Sequence, residues 1–420
     1  MKLKKITYVP VLNGSILNCA LRDDMTINDK RLTFYTKDGL FRYKASLINP
    51  FHHQDVFSKI KKAGLIEDDI IFADSGGLQE ITLNKIKYSP EEVFQWQQKN
   101  CNIGFSVDCL PFITPKEGTN KPGSFGGWKF DKEHFVDYAK KGKENIEVTK
   151  KYRDKKKYPD FHFYGIIQGR KYDEYLKWYE VLKDDEYLDG YCCKAPNVNP
   201  MTLAETCIFA ITNISKPVHF LGIGNISRAI VLYYASRYFK YPISYDSSSY
   251  DTGTQYRNWI VPFMINKKLR LVSKDNIYEG DETVNKDDII EISDLNNYCD
   301  CIACRSIKGI SKELLKTNDP KLGSLISLHN LILNIKVNKY VQDIMKNDEN
   351  LRLDTDKPLT NKVREFVLYN FQSSLSEKIF NAFDMIDIAM KRGHGCALAK
   401  YKDEIKLNKT EGDQKGLFDF

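Results

Sequence analysis

The sequence has no long apolar run, no internal repeat and no strong excess of charge of either sign. No window reaches the ~18 uninterrupted apolar residues that a membrane-spanning helix needs, and the mean hydropathy is −0.46. With 42% hydrophobic, 12% aromatic and 28% charged residues, the chain is neither disordered nor collagen-like nor a low-complexity scaffold. Behind the charges of Met1-Lys2-Leu3-Lys4-Lys5 there is no apolar stretch of signal-peptide length, so a soluble cytoplasmic protein is expected. The 63 basic and 56 acidic residues leave a net charge of only +7. A DNA-coating protein would carry more, with a domain pI above ~9, whereas here it is near 8.6. The excess suits a polyanionic substrate and, equally well, a solvated lysine-rich surface.

Ten cysteines could form five disulfides, but an intracellular context favours thiols. Cys19, Cys101, Cys109, Cys192, Cys193, Cys207 and Cys396 are scattered and read as small buried hydrophobes. Cys299, Cys301 and Cys304 instead form a C-x-C-x2-C knuckle, close enough for three thiolates to share one metal ion. A structural zinc needs a fourth ligand. Only His329 and His394 follow. His329 lies on an apolar helical stretch and completes C-x-C-x2-C-x24-H; His394, in Arg392-Gly393-His394-Gly395, is the weaker candidate. The completed pattern points to structural zinc and says little about catalysis.

Elsewhere, apolar runs with strand character alternate with helical stretches. They begin at Ala45 to Pro50 and continue through 69–73, 103–107, 161–167, 188–193, 218–221 and 243–245. Ser89 followed by Pro90 marks one helix start. Strands alternating with helices make a parallel sheet, and seven to eight such units favour a (β/α)8 TIM barrel. Asp74, Asp108, Gln168 and Asp246 follow the carboxyl ends of these runs, where barrel enzymes place their active sites. A single strand-end Asp is commonly a helix cap; four polar strand ends on one rim describe a site. Gly222-Ile223-Gly224 is only half a dinucleotide fingerprint, because Ser227 stands where a glycine is needed. The glycine-rich stretch 118–128 is either a lid or a surface insertion. The basic stretch Lys150 to Lys157 is either a solvated helix end or a phosphate contact.

Together these motifs resemble the zinc-containing guanine transglycosylases of the queuine tRNA-ribosyltransferase superfamily. Asp74-Ser75-Gly76-Gly77-Leu78-Gln79 is similar to that family's D-S-G-G-F-Q, Gly165-Ile166-Ile167-Gln168-Gly169 to its G-I-V-Q-G, and Leu221-Gly222-Ile223-Gly224 to its L-x-G-V-G. Asp246 follows the next strand, as the family's nucleophile does, and Cys299, Cys301, Cys304 and His329 match its zinc site. The resemblance implies exchange of guanine in a nucleic acid for a free 7-deazaguanine base. Asp246 would be the nucleophile and Asp74 the general acid/base. Ser75, Gly76, Leu78, Asp108, Gln168, Gly169, Leu221 and Gly222 would form the substrate-binding set, with Asp108 and Gln168 on the guanine edge. Zinc would be structural.

Three departures bear on the substrate, one being that the family's G-G-L-A-V-G stretch, which lines the pocket for the 7-substituent, reads Gly190-Tyr191-Cys192-Cys193-Lys194-Ala195. Leu78 replaces the family's aromatic residue, so Leu78 and Leu221 would sandwich the base. After Asp246, the family's tRNA-contacting P-T-R-N-A-R is replaced by Ser247-Ser248-Ser249-Tyr250-Asp251-Thr252-Gly253-Thr254. Such departures resemble the DNA-acting DpdA-type transglycosylases of bacteria and phages. DNA is therefore the expected partner, with tRNA or a non-catalytic nucleic-acid-binding paralogue as alternatives. The 7-cyano base is the expected second substrate, a homodimer is an open assembly, and a phage-encoded copy would work in the host cytoplasm. The expected organisation is a lead-in at 1–44 and a barrel at 45–335, carrying a zinc-binding subdomain at about 285–335. A C-terminal helical extension at 336–420 would include an amphipathic helix over Ser376 to Arg392.

Overall fold

The seven apolar runs, joined by an eighth near the amino terminus, become the staves of a closed parallel barrel. In chain order these are β1 (Ile6–Leu12), β2 (Ala45–Ile48), β3 (Ile70–Ala73), β4 (Ile103–Phe105), β5 (His162–Ile167), β6 (Gly190–Lys194), β7 (Val218–Leu221) and β8 (Ile243–Ser247). Each pairs with the next, and β1 closes the ring against β8 with Ile6 opposite Ile243 and Val9 opposite Asp246. The computed structural model describes residues 5–12, 26–27, 29–31, 43–48, 70–76, 89–113, 129–183, 185–194, 199–247, 263–265, 268–273, 289–291, 299, 301–307, 320–351 and 359–405. The loop 118–128, residues Gly77 to Gln79 and the stretch after Ser247 lie outside the described residues.

The expected (β/α)8 barrel is present, but its first strand begins earlier than expected. β1 lies inside the stretch assigned to a lead-in at 1–44. Pro10 within that run lacks an N–H and argues against a buried strand. The ladder tolerates it because β1 pairs with β8 over residues 6–10 and with β2 only at Val11 and Leu12. Pro10 therefore falls where β1 passes from one neighbour to the other.

Strands buried on both faces are apolar on both faces. Val9, Leu47, Phe72, Ile103, Phe105, Tyr164, Ile166 and Cys192 fill one cluster inside the barrel. The other faces pack against α1 (Pro90–Asn100), α2 (Phe135–Glu147), α3 (Tyr172–Leu182), α4 (Pro200–Asn213) and α5 (Ile226–Ala235). These helices start where the sequence caps them. Ser89 accepts from the Glu92 N–H with Pro90 in the first turn, Asn199 and Thr202 form a capping box, and Asn225 accepts from the Arg228 N–H. Trp178 on α3 is fully buried and donates Nε1–H to the Ile166 carbonyl at 2.9 Å. Truncating it to Ala would cost about 3–5 kcal/mol.

Beyond the barrel, Phe263–Ile265, Lys268–Ser273 and Ile289–Glu291 form a three-stranded sheet. Short α6 (Ile302–Ile307) and long α7 (Pro320–Leu351) follow, then α8 (Asn361–Asn370), α9 (Ser373–Arg392) and α10 (His394–Lys400). The boundary expected at 335 falls inside α7, a single continuous helix. One end of α7 carries His329. Further along, Asn338 accepts from the Tyr245 hydroxyl of β8, and Gln342 donates to the Ile6 carbonyl of β1. The C-terminal helices pack on the outside of the barrel. Phe383 stacks on Tyr234 at 4.1 Å, and Asp387 accepts from the hydroxyls of Tyr234 and Tyr238. Among the described residues no helix is long and apolar enough to cross a membrane.

Candidate active site and metal centre

Asp74, Asp108, Gln168, Leu221, Gly222 and Asp246 all occupy the carboxyl-terminal rim of the barrel, at or just beyond the ends of β3, β4, β5, β7 and β8. The sequence-predicted residues are thus brought together. Ser75 and Gly76 adjoin them, and Leu78 lies outside the described residues.

Asp246 is held on one oxygen. Its Oδ1 accepts from the Gly222 backbone N–H at 3.0 Å and from His219 Nε2 at 3.1 Å. Among the described residues no hydrogen bond reaches Oδ2. Gly222 presents that N–H from φ +73°, a backbone state that favours glycine. His219 is completely buried inside the barrel, against Phe72 and Phe105, with ring centroids 5.3 and 4.9 Å away. Its Nδ1 lies 2.8 Å from the Ser244 hydroxyl. An ionised Asp246 can only accept, so Nε2 carries the proton and Nδ1 accepts from Ser244.

Asp108 is in the opposite condition. Its Oδ2 accepts from Gln168 Nε2 at 2.6 Å, while Oδ1 is buried with no hydrogen-bond partner. A buried, unpaired carboxylate oxygen is costly, and burial pushes the Asp108 carboxyl up to about 6. The atom is an acceptor awaiting a donor. Asp74 is also raised, by burial first and then by the charge of Asp246, against the pull of N–H groups from Ser75 and Gly76. The Ser75 N–H lies 2.7 Å from Asp74 Oδ1.

Gly169, just beyond the end of β5, also answers to packing. A Cβ there would meet the Tyr175 ring and backbone N at 2.8–2.9 Å, so only glycine lets α3 approach the end of β5.

The sequence reading missed three residues here. His219 is one. Gln97 on α1 is another, fully buried, its amide donating to the carbonyls of Ala73, Asp74 and Phe105 at 3.3, 3.1 and 3.0 Å. It ties the ends of β3 and β4 together behind Asp74 and Asp108. The third is Lys194, which ends β6 and couples electrostatically to Asp246, Asp108 and Asp74. Burial lowers its ammonium below the usual lysine range; Asp246 opposes that shift and buried Arg228 adds to it. The signal for Lys194 was available, since a charged residue ending an apolar strand is what singled out the aspartates.

Away from the rim, Cys299, Cys301, Cys304 and His329 meet with one ligand atom each, all within 4.8 Å of one another. His329 Nδ1 lies 3.7, 3.3 and 3.1 Å from the three Sγ atoms. Tetrahedral zinc with bonds of about 2.3 Å to sulfur and 2.0–2.1 Å to nitrogen would separate such atoms by roughly 3.5 Å, so the donor set fits a metal ion. His394 is not part of it: its ring stacks on Tyr172 at 4.4 Å. Of the remaining cysteines, Cys101, Cys109, Cys192, Cys193 and Cys207 are buried thiols as expected, whereas Cys396 is exposed. Cys19 lies outside the described residues.

No model of a known protein family matches the chain. Among curated proteins it is similar to a queuine tRNA-ribosyltransferase of Thermoanaerobacter pseudethanolicus (strain ATCC 33223 / 39E). The identity is 22% over 327 residues, 69% of this chain and 75% of that protein. The likeness supports the guanine transglycosylase superfamily. It supports a glycosyltransferase with it. Among solved structures, the carboxyl transferase domain of Rhizobium etli pyruvate carboxylase with 3-bromopyruvate matches at a TM-score of 0.34 and 10% identity, over 96% of this chain and 56% of that one. The same domain with pyruvate gives 0.35 and 9%, over 99% and 68%. Scores this low carry no argument.

Proposed function

We propose that this chain is a DNA-guanine transglycosylase, exchanging guanine in DNA for a free 7-deazaguanine, the 7-cyano base in the first instance. The observation that carries the reading is the pairing on one rim of a carboxylate tethered through a single oxygen, Asp246, with a buried carboxylate oxygen lacking a donor, Asp108 Oδ1.

The chemistry is that of a retaining displacement. Asp108 accepts hydrogen bonds from the N1–H and exocyclic amine of guanine, and Gln168 lies alongside. Asp246 Oδ2 attacks the anomeric carbon; the bond from that carbon to N9 breaks and its electron pair leaves with the base. Asp74 gives the departing purine a proton, a role suited to a carboxyl raised by burial and by the neighbouring charge of Asp246. The incoming base then returns a proton to Asp74. Its N9 attacks the same carbon, and the ester to Asp246 breaks. Two inversions give retention. Water must be kept out, or the ester hydrolyses. Cys299, Cys301, Cys304 and His329 would hold zinc. It would stabilise the fold around α6 and α7 and supply no catalytic step, since four protein ligands leave no open position.

DNA is favoured over RNA by the Ser247 to Thr254 stretch, which replaces the tRNA-contacting segment of the family it resembles. A duplex would have to expose its guanine at a cost of about a few kcal/mol. The same chemistry on tRNA is the second reading, favoured by the name of the similar bacterial protein. Incubation with labelled guanine and either duplex DNA or tRNA separates the two. Label in DNA is the expected result. Label only in tRNA would overturn the DNA assignment, and label in neither would leave a binding subunit.

A further inference from the structure

Lys194 has no part in the displacement just described, yet its ammonium couples electrostatically to all three rim carboxylates. Its register partner across the β6–β7 ladder is Leu221. An ideal Cβ built on Gly222 would sit 3.0 Å from Lys194 Nζ. The side chain therefore reaches over the end of β7, and the missing Cβ at Gly222 leaves room for it.

The cyclic order of the rim then matters. The barrel runs β3, β4, β5, β6, β7, β8, so its mouth presents Asp74, Asp108, Gln168, Lys194, Gly222 and Asp246 in that order. Round a guanine-type base the order is N3, the exocyclic amine and N1, O6, position 7, then C8 and N9. With N9 at Asp246 and the donor edge at Asp108 and Gln168, one arc is left for O6 and position 7. It is the arc of β6 and β7, which Lys194 occupies.

We propose that Lys194 is a charge filter for the substituent on C7 of the incoming base, admitting neutral or anionic groups and rejecting a cation. The proposal rests on the base-exchange reading. An ammonium donates to O6 and to an acceptor such as a nitrile nitrogen or a carboxylate, and it has no acceptor to offer a second ammonium. A cationic substituent in this arc meets like charge at short range in a desolvated site, where such repulsion is strongest.

The test uses full-length protein and four bases: guanine, and 7-deazaguanine bearing cyano, carboxylate or aminomethyl at C7. kcat/KM for incorporation into nucleic acid is measured for the wild type and for Lys194→Met, Lys194→Gln and Lys194→Arg. The wild type is expected to disfavour the aminomethyl base against the cyano base by at least about tenfold. Met and Gln should bring that ratio close to one, and Arg, which keeps the charge, should preserve it. A wild type that prefers the aminomethyl base overturns the filter whatever the variants do. Equal losses for all four bases in Met and Gln overturn it too, since they would make Lys194 a counter-ion for the acids and nothing more. Failure of the wild type to exchange guanine at all overturns the base-exchange reading instead.

Discussion

The two ends of this barrel are built from the same strands and settle their charges in opposite ways. At the amino-terminal end Arg153 donates to the Tyr187 and Phe161 carbonyls at 3.1 and 3.2 Å and to Asp189 Oδ2 at 2.6 Å. That same Asp189 oxygen accepts from the Phe163 N–H at 2.7 Å. Lys216 donates to the Leu188 carbonyl at 2.7 Å, and Lys150 reaches Asp185 at 3.2 Å. Each cation is matched to an anion or to carbonyls at the strand entries. In the basic stretch Lys150 to Lys157, Lys151, Lys155, Lys156 and Lys157 are exposed, as in a solvated helix end, while Arg153 turns inward and ties down β5 and β6. At the other end the carboxyls of Asp74, Asp108 and Asp246 share one rim, and burial raises the first two. Among the described residues each end keeps one buried carboxylate oxygen without a donor, Asp185 Oδ2 beside Lys150 and Asp108 Oδ1 at the mouth. Satisfied charge stabilises a fold; unsatisfied charge on a rigid frame is available for a substrate.

The sharpest way to break this contrast is at Asp246. Asp246→Asn should reduce base exchange by about 10⁴-fold or more, as expected for loss of a nucleophile, and remove any adduct with nucleic acid on a denaturing gel. Thermal stability should stay within a few degrees of wild type. A covalent adduct persisting in this variant would show that the attacking group is another residue. Arg153→Ala is the counterpart at the opposite end. It leaves Asp189 without its guanidinium and should destabilise the fold by about 3 kcal/mol, read as a lower denaturation midpoint. Exchange per folded molecule should hardly change. A variant as stable as wild type would show that the amino-terminal network is ornamental.

Removal of metal tests the other stabilising device. Metal analysis should find about one zinc per chain, and Cys304→Ser should lose it and melt at a lower temperature. Fully folded, metal-free wild type would defeat the assignment of Cys299, Cys301, Cys304 and His329.

Asp108 offers a subtler test, because its role at the mouth opposes its effect on stability. Burial raises its carboxyl to about 6 from the usual value near 4. The folded state therefore binds the proton more tightly than the unfolded chain. Its contribution to stability is greatest below pH 4 and is lost as pH rises through 6. Recognition of the base's donor edge runs the other way, since it needs the ionised acceptor; KM for the base should rise as pH falls below about 6. Asp108→Asn should accordingly melt higher than wild type at pH 8 while binding the base more weakly. If the variant lost both stability and affinity, the orphaned oxygen would not be the strained group described.

How much of this was legible in the sequence depended on the range of the interaction. Seven strands, and the Asp or Gln that ends four of them, could be read because each signal is local: a short apolar run, a turn, then a helix. The zinc ligands were legible from spacing, with three of them lying within six residues. β1 was not, because Pro10 obscures it and its pairing with β8 joins residues more than 200 positions apart. Gln97 reads as one more polar residue on a helix until the carbonyls of β3 and β4 surround it. Gly169 reads as part of a substrate motif; that it also makes room for Tyr175 is invisible until α3 is packed against β5. The continuity of α7 across residue 335 was hidden because the sequence there changes from a metal-binding to a packing role without a break in helix.

His219 is the hardest case and supports the smallest of the expected effects. A lone histidine between Val218 and Phe220 reads as a core residue, and by burial it is one. Its link to the rim depends on the β7–β8 register, which sets His219 opposite Ser244, two residues before Asp246. The imidazole then spans Ser244 and Asp246, fixing which carboxylate oxygen faces inward and which is left for attack. His219→Phe keeps a ring between Phe72 and Phe105 but loses both hydrogen bonds. Asp246 would still be held by the Gly222 N–H, so the loss should be partial, about tenfold to a hundredfold in kcat. KM for the free base should stay close to wild type, since the Asp108 and Gln168 contacts are untouched. Ser244→Ala removes only the partner of Nδ1 and should lose less. A rise in KM with kcat preserved would mean that His219 shapes the base pocket and does not orient the nucleophile.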